Sequence, residues 1–227
     1  MANSNSIDFE QAREYMVERQ VRTWEVLDQR VLDVMRAMPR EAFVPADFRN
    51  LAYADANISL APFRAEGEEM MQPKVEGRLL QALDIGDGDN ILEIGTGSGY
   101  LTALLARLGN KVTSVDINEA LTAQAGDTLQ AQGIDNITLE SRDAATLDGI
   151  GKQYDCVAVT GSMPRLHDSF RQALKVGGRL FVIIGSGPMM EAQLHTRVTQ
   201  DFWQVDSLFD TRIAPLKNAW NPKTFVL

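Results

Sequence analysis

The chain has 227 residues, 44% hydrophobic and 23% charged, which suits one large soluble domain or a domain with an extension. A formal charge of -9 argues against a nucleic-acid-binding surface, which relies on basic clusters, and no cluster of length is visible. One cysteine, Cys156, excludes an intrachain disulfide and fits a reducing compartment. With only His167 and His195 available there is no zinc-ligand spacing, so no metal is expected.

The first ten residues have no basic start and no apolar run, so no signal peptide is read. The longest apolar run, residues 180–184, is far too short to span a bilayer, and a cytoplasmic protein without a membrane partner is expected. Residues 7–38 read as helical, with Asp8 capping a first segment and Asp28 a second. Val31, Leu32, Val34, Met35 and Met38 repeat at helical spacing until Pro39. Residues 39–73 hold four prolines and little periodicity, which predicts a long irregular region, of the kind that is usually functional. A helix over 74–83 follows, and Gly86-Asp87-Gly88 breaks it.

From residue 90 strands and helices alternate. Strands are expected at 91–94, 111–116, 137–141, 156–160 and 179–184, and helices at 99–108, 119–132 and 165–175, ending near Gly109, Gly133 and Gly177-Gly178. That alternation predicts an α/β fold, a doubly wound, mostly parallel sheet with ligand at the carboxyl ends of the central strands. Residues 193–199 and 204–213 alternate apolar and polar with no helix between them, so they read as antiparallel strands at the sheet edge. The organisation expected is residues 1–75 as N-terminal helices and an acceptor-side loop, packed on a core of residues 76–227.

Four features fall at strand ends on the same side of such a sheet. Gly95, Gly97 and Gly99 follow the first strand, and the helix after them offers free amides and a positive dipole end to an anion. Asp116 closes the second strand, about 20 residues on, where an acid accepts hydrogen bonds from ribose hydroxyls. Arg142-Asp143-Ala144 follow the third strand and Thr160-Gly161 the fourth. One elongated nucleoside ligand would touch all four. The G-x-G-x-G spacing is not the G-x-G-x-x-G that seats a dinucleotide, which disfavours a nicotinamide dehydrogenase.

The stretch from Leu92 through Gly95-Thr-Gly-Ser-Gly-Tyr100 to Ala106 resembles the protein-L-isoaspartate O-methyltransferase family of class I S-adenosylmethionine-dependent methyltransferases. Residues 31–45, Ala52-Tyr53, Asn136, Asp155 and Leu174-Lys-Val-Gly-Gly-Arg-Leu180 are similar to its other signatures, and the likeness covers residues 13–216. The resemblance implies a Rossmann-like methyltransferase sheet with S-adenosylmethionine as cofactor. Gly95, Thr96 and Gly97 would hold its methionine part, Asp116 its ribose, and Asp143 with Ala144 the adenine edge. Glu93 would orient the loop or reach the amino group. Met70, Met71, Ser98, Gly99, Ile117, Arg142 and Thr160 complete the expected cofactor set. Protein repair, acting on a protein or peptide carboxylate, is the implied activity.

The likeness breaks at residues 67–71. The family carries Gly-Gln-Thr-Ile-Ser-Gln-Pro there, whose hydroxyls help seat the acceptor, whereas this chain reads Gly67-Glu-Glu-Met-Met71 before Gln72-Pro73. Glu69 takes the Thr position and Met71 the Ser position, with Glu68 beside them. These three are the candidate acceptor-side catalytic positions. A carboxylate acceptor within ~4 Å of either glutamate would be repelled by up to about 4 kcal/mol at an effective dielectric of 20. The alternatives are therefore a methyltransferase of this fold with another small-molecule or protein acceptor, or a cofactor-binding protein that does not catalyse transfer.

Overall fold

The computed structural model describes residues 7–60, 68–145, 147, 153–219 and 221. Asp8 starts α1 (Phe9–Met16) by accepting a hydrogen bond from the Gln11 amide at 3.1 Å. A π-turn at Val17–Val21 and a 3-10 turn at Arg22–Trp24 follow, and Glu25, at φ 63°, ends the run. Asp28 then caps α2 (Gln29–Ala37), accepting from the Arg30 amide at 2.8 Å. Both caps are the ones the sequence predicts.

The stretch expected to be irregular holds more order than that. It contains 3-10 turns at Arg40–Ala42 and Ala46–Leu51. Two short strands, β1 (Ile58–Ser59) and β2 (Glu69–Met70), also pair antiparallel with Ile58 opposite Met70 and Ser59 opposite Glu69. Strands of two residues are too short for alternation to reveal. Gly67, part of the divergent segment, lies outside the described residues. Helix α3 (Pro73–Leu83) follows, with Pro73 in its first turn, where a missing amide costs no hydrogen bond.

The remainder builds the sheet. In chain order it comprises β3 (Asn90–Ile94), α4 (Tyr100–Leu108), β4 (Lys111–Asp116), α5 (Glu119–Ala131), β5 (Ile137–Ser141) and β6 (Tyr154–Met163). Then come α6 (Asp168–Gln172), β7 (Leu174–Ser186), β8 (Met189–Arg197) and β9 (Trp203–Thr211). Across the sheet the order is β5-β4-β3-β6-β7-β8-β9. The first five strands are parallel, and β8 and β9 run antiparallel at the edge. This is the expected doubly wound Rossmann-like architecture with an N-terminal helical extension.

The helix expected over 165–175 is much shorter, because Leu174 already pairs with Tyr154 in the ladder. Gly177 and Gly178 do not end that helix. They lie inside β7, at an irregularity between the Tyr154–Leu174 and Cys156–Arg179 pairs. The edge strands also begin earlier than predicted. The turn residues 187–188 sit directly between β7 and β8, so pairing starts at Ser186 opposite Met189.

Alternation sorts the strand residues between two apolar clusters, one on each face of the sheet. Leu92, Ile94, Val157, Val159, Leu180 and Val182 face α6 and its Phe170. Ile91, Cys156, Phe181 and Ile183 face the other way, into a larger cluster with Leu32, Val75, Leu80 and Leu104. A boundary at residue 75 falls inside α3, and that larger cluster contains residues from both sides of it. Within it lies an ion pair: Arg40, fully buried, binds Glu76, donates to the Met71 carbonyl at 2.6 Å, and stacks 4.6 Å from the Tyr100 ring centroid. The turn at Arg40–Ala42, the residue that follows β2, α3 and α4 are thereby tied at one point.

Candidate functional site

Strand order reverses between β3 and β6, and a cleft opens at the carboxyl ends of β3 to β6, where open parallel sheets place their ligands. It measures about 840 Å³ with its open mouth included. Gly95, Gly97, Asp116, Ile117, Arg142, Asp143, Ala144 and Thr160 line it, together with Glu68, Glu69, Met70 and Met71 from the acceptor side. With Gly161, thirteen residues singled out from the sequence are thus brought to one cavity.

Four others are not. Thr96 is buried, its hydroxyl 2.6 Å from that of Ser114. Ser98 turns toward a separate small pocket beside Gln124 and Ala125, and accepts from the Tyr100 amide at 3.3 Å. Gly99 caps α4 away from the cleft. Glu93 is fully buried and does not line the cleft, because strand alternation directs it beneath the glycine turn on the Ile91 side. Its Oε2 accepts from Thr102 and from Ser114 at 2.6 Å, while Oε1 has no partner. Burial pushes this carboxyl up to about 8. Its link to the loop runs through Ser114 and Thr96, and no path leads from it to a ligand amino group.

Two of the glycines are also required by the protein's own packing. A Cβ on Gly95, whose φ is +98°, would lie 2.1 Å from the Thr160 hydroxyl. That hydroxyl holds the end of β3 by donating to the Ile94 and Gly95 carbonyls, each at 2.9 Å. Thr160 can do so because the parallel register that pairs Ile94 with Val159 brings the next residue of β6 beside Gly95. A Cβ on Gly99 (φ +83°) would meet Ala125 at 3.1 Å and Leu129 at 3.2 Å, so this glycine lets α5 approach.

Asp116 binds backbone with both oxygens: Oδ2 accepts from the Gly97 amide at 2.9 Å and Oδ1 from Asn118 at 2.8 Å. Each carboxylate oxygen keeps a lone pair for a further donor. The Arg142 amide donates to the Asp116 carbonyl at 2.9 Å, which joins the second and third strand ends. Asp143 accepts from the Ala145 amide at 2.9 Å and from Asn218 at 2.8 Å.

On the acceptor side, Met70 and Met71 are buried, and the Met71 carbonyl is held by Arg40. The two glutamates differ. Glu68 Oε1 accepts from Lys217 at 2.6 Å and Asn118 at 3.0 Å, and the Lys217 hydrogen bond holds its carboxyl below the usual range. Glu69 is exposed and accepts from Asn57 at 3.1 Å. Glu68 is therefore a weak base, kept ionised by its partner lysine.

The segment after β9 was not anticipated. Ile213–Lys217 forms one wall of the cleft. It is laid against β6 by two backbone bonds, Ser162 N to Ala214 O at 2.9 Å and Leu216 N to Ser162 O at 2.8 Å. Gly161 permits that approach, since a Cβ there would lie 2.9 Å from the Leu216 amide. Asn57, Leu60, Leu121 and Ala145 also line the cleft without having been singled out. No local sequence signal marks any of them, because they meet only through the fold.

Among the described residues no cluster of three or more His, Cys, Asp or Glu could hold a metal, and no helix is long and apolar enough to cross a membrane. Cys156 is buried, with burial pushing its thiol up to about 12, which removes it as a nucleophile. His167 caps α6, accepting from the Ser169 amide. What remains is a cleft with acid acceptors at two strand ends, suited to ribose hydroxyls, and more carboxylates at its mouth.

Comparison with known proteins points the same way. The family described as Protein-L-isoaspartate(D-aspartate) O-methyltransferase (PCMT) matches residues 11–219. Protein-L-isoaspartate O-methyltransferase 1 of Rhodopseudomonas palustris (strain HaA2) is 34% identical over 215 residues, spanning 94% of this chain and 86% of its own. The Magnetococcus marinus protein-L-isoaspartate O-methyltransferase is 36% identical over 191 residues, 83% of this chain and 81% of its own. Two solved structures share the fold. A protein-L-isoaspartate O-methyltransferase superposes with TM-score 0.76 at 22% identity, over 89% of this chain and 65% of that longer one. A putative one from Plasmodium falciparum, in complex with S-adenosyl-L-homocysteine, gives 0.75 at 18% identity over 90% and 98%.

Proposed function

Because the chain belongs to the protein-L-isoaspartate O-methyltransferase family, we propose that it is an S-adenosylmethionine-dependent methyltransferase acting on a carboxylate of damaged protein. One observation carries this reading: Gly95, Gly97, Asp116, Asp143, Ala144 and Thr160, from four strand ends, line one cleft. The residues fit the cofactor. Asp116 is fixed by the Gly97 and Asn118 amides and retains acceptor capacity for ribose hydroxyls. Asp143 and Ala144 stand one strand further along, where the adenine edge would lie.

S-adenosylmethionine, when bound, supplies a methyl group made electrophilic by its sulfonium. The protein's part is to hold the acceptor in line with it, which is an orientation effect rather than acid–base chemistry. A carboxylate acceptor, with an ordinary pKa near 4, is ionised at pH 7 and needs no base. This agrees with a Glu68 that is occupied by Lys217 and with Cys156 and His167 placed elsewhere. The reading includes a protein or peptide rather than a nucleic acid as acceptor, supported by the charge of -9, and a cytoplasmic setting, supported by the single free cysteine.

The test is labelled S-adenosylmethionine offered with paired isoaspartyl and aspartyl peptides, alongside calorimetric titration with S-adenosylhomocysteine. Selective labelling of the isoaspartyl peptide is expected. Absence of cofactor binding would refute the whole reading. Binding without labelling would favour a second one, another acceptor on the same cofactor site. That second reading is motivated by Glu69 at the cleft mouth and by the buried thioether of Met71 where the family carries a hydroxyl.

A further inference from the structure

Beside the cofactor cleft lies a second hollow, with Gln72, Pro164, Ser186, Met190 and Arg212 in its lining. Asn57, Glu69 and residues 213–215 line both, so they form the wall between them. An acceptor entering from the second hollow must cross that wall to reach the cofactor.

The charge on the wall is Glu69. It is exposed, its one hydrogen bond is from neutral Asn57, and it has no ionic partner among the described residues. The other charged residues lining the two hollows are engaged or line only one of them. Glu68 is neutralised by Lys217, and Arg142 is paired with Glu140 at 3.1 Å. Arg212 is exposed but lines only the outer hollow. A bare carboxylate crossing the wall therefore meets negative charge that no cation among the described residues pairs with.

We propose that the second hollow is the acceptor groove, and that Glu69 makes it select a carboxylate flanked by a cationic side chain. A lysine or arginine next to the damaged residue would pair with Glu69 and cancel the repulsion felt by the carboxylate. This specificity rests on the methyltransferase reading above. At an exposed mouth each such contact lies near the aqueous end of the Coulomb scale, about fivefold in affinity. A lysine and a glutamate at the neighbouring position should then differ by roughly twentyfold.

The experiment uses the full chain loaded with S-adenosylhomocysteine and short synthetic isoaspartyl peptides, identical except for Lys, Ala or Glu at the following residue. Affinities are measured by calorimetry, and labelled methyl transfer is followed in parallel. The wild type should rank Lys above Ala above Glu. Glu69→Gln should compress that spread to within roughly threefold, and Glu69→Lys should reverse it. No spread in the wild type, a spread that survives Glu69→Gln, or no binding of any peptide would each overturn the proposal. If binding depends on Glu69 while no peptide is labelled, the groove stands and the repair activity falls, so the two failures are told apart.

Discussion

Replacing Glu93 by glutamine isolates the energetics of the carboxyl buried under the glycine turn. In the folded protein burial raises this group from its ordinary 4.5 to about 8. A carboxyl raised in this way contributes stability fully at low pH, below its unfolded value. That stability is lost as pH rises from about 4.5 toward 8, because the unfolded chain ionises while the native one keeps its proton. At 1.36 kcal/mol per pH unit, the loss between pH 5 and pH 7 is about 3 kcal/mol. Glutamine has the shape of the protonated acid, and its carbonyl can accept from Thr102 and Ser114 as Glu93 does. Urea unfolding of both proteins from pH 5 to pH 8 is the assay. Glu76, also raised by burial, acts in the same direction, and His195, lowered to about 4 by burial, acts in the opposite one. The His195 contribution cancels in the difference between variant and wild type, and that of Glu76 cancels apart from its Coulomb coupling to Glu93. The gap should move in favour of Glu93→Gln by about 3 kcal/mol from pH 5 to pH 7. A gap that stays constant with pH would refute the argument, since it would mean Glu93 titrates alike in both states.

Three further outcomes are expected. Gly95→Ala, with its Cβ 2.1 Å from the Thr160 hydroxyl, should destabilise by about 2–4 kcal/mol in urea unfolding. Adding Thr160→Ala should recover at least about 1 kcal/mol of it, and additive behaviour would count against the clash. Asp116→Asn should weaken S-adenosylhomocysteine binding roughly 10- to 100-fold by calorimetry, the worth of one or two lost hydrogen bonds to a charged acceptor, and unchanged affinity would remove Asp116 from the ribose site. Arg40→Met should cost about 3–5 kcal/mol in thermal or urea unfolding by leaving Glu76 buried without its partner, whereas Arg40→Met with Glu76→Leu should restore much of it.

The legible part of the site was the part each strand carries at its own end. Gly95 and Gly97 follow one short strand and Asp116 closes the next, and the strand–helix alternation of the chain makes those strands parallel, so their common side of the sheet could be read from sequence. Glu93 carried two readings, orienting the loop or reaching a ligand amino group, and its alternation onto the Ile91 side, with its link to Thr96 through Ser114, agrees with the first. The packing roles of Gly95 and Gly99 were not legible, since the atoms that would meet a Cβ belong to Thr160, Ala125 and Leu129, distant in sequence.

By itself the sequence determined the family, the parallel sheet and the strand-end half of the cleft. Periodicity, caps and glycine spacing are local, and a strand's own pattern is enough to aim its last residue. Only the tertiary structure decided the other half. The β1–β2 ladder, the return of Ile213–Lys217 against β6, and the opposite fates of Glu68 and Glu69 depend on contacts between segments far apart in the chain. Two adjacent glutamates read alike as letters. Lys217, some 149 residues away, neutralises one of them, while the other is exposed beside Asn57.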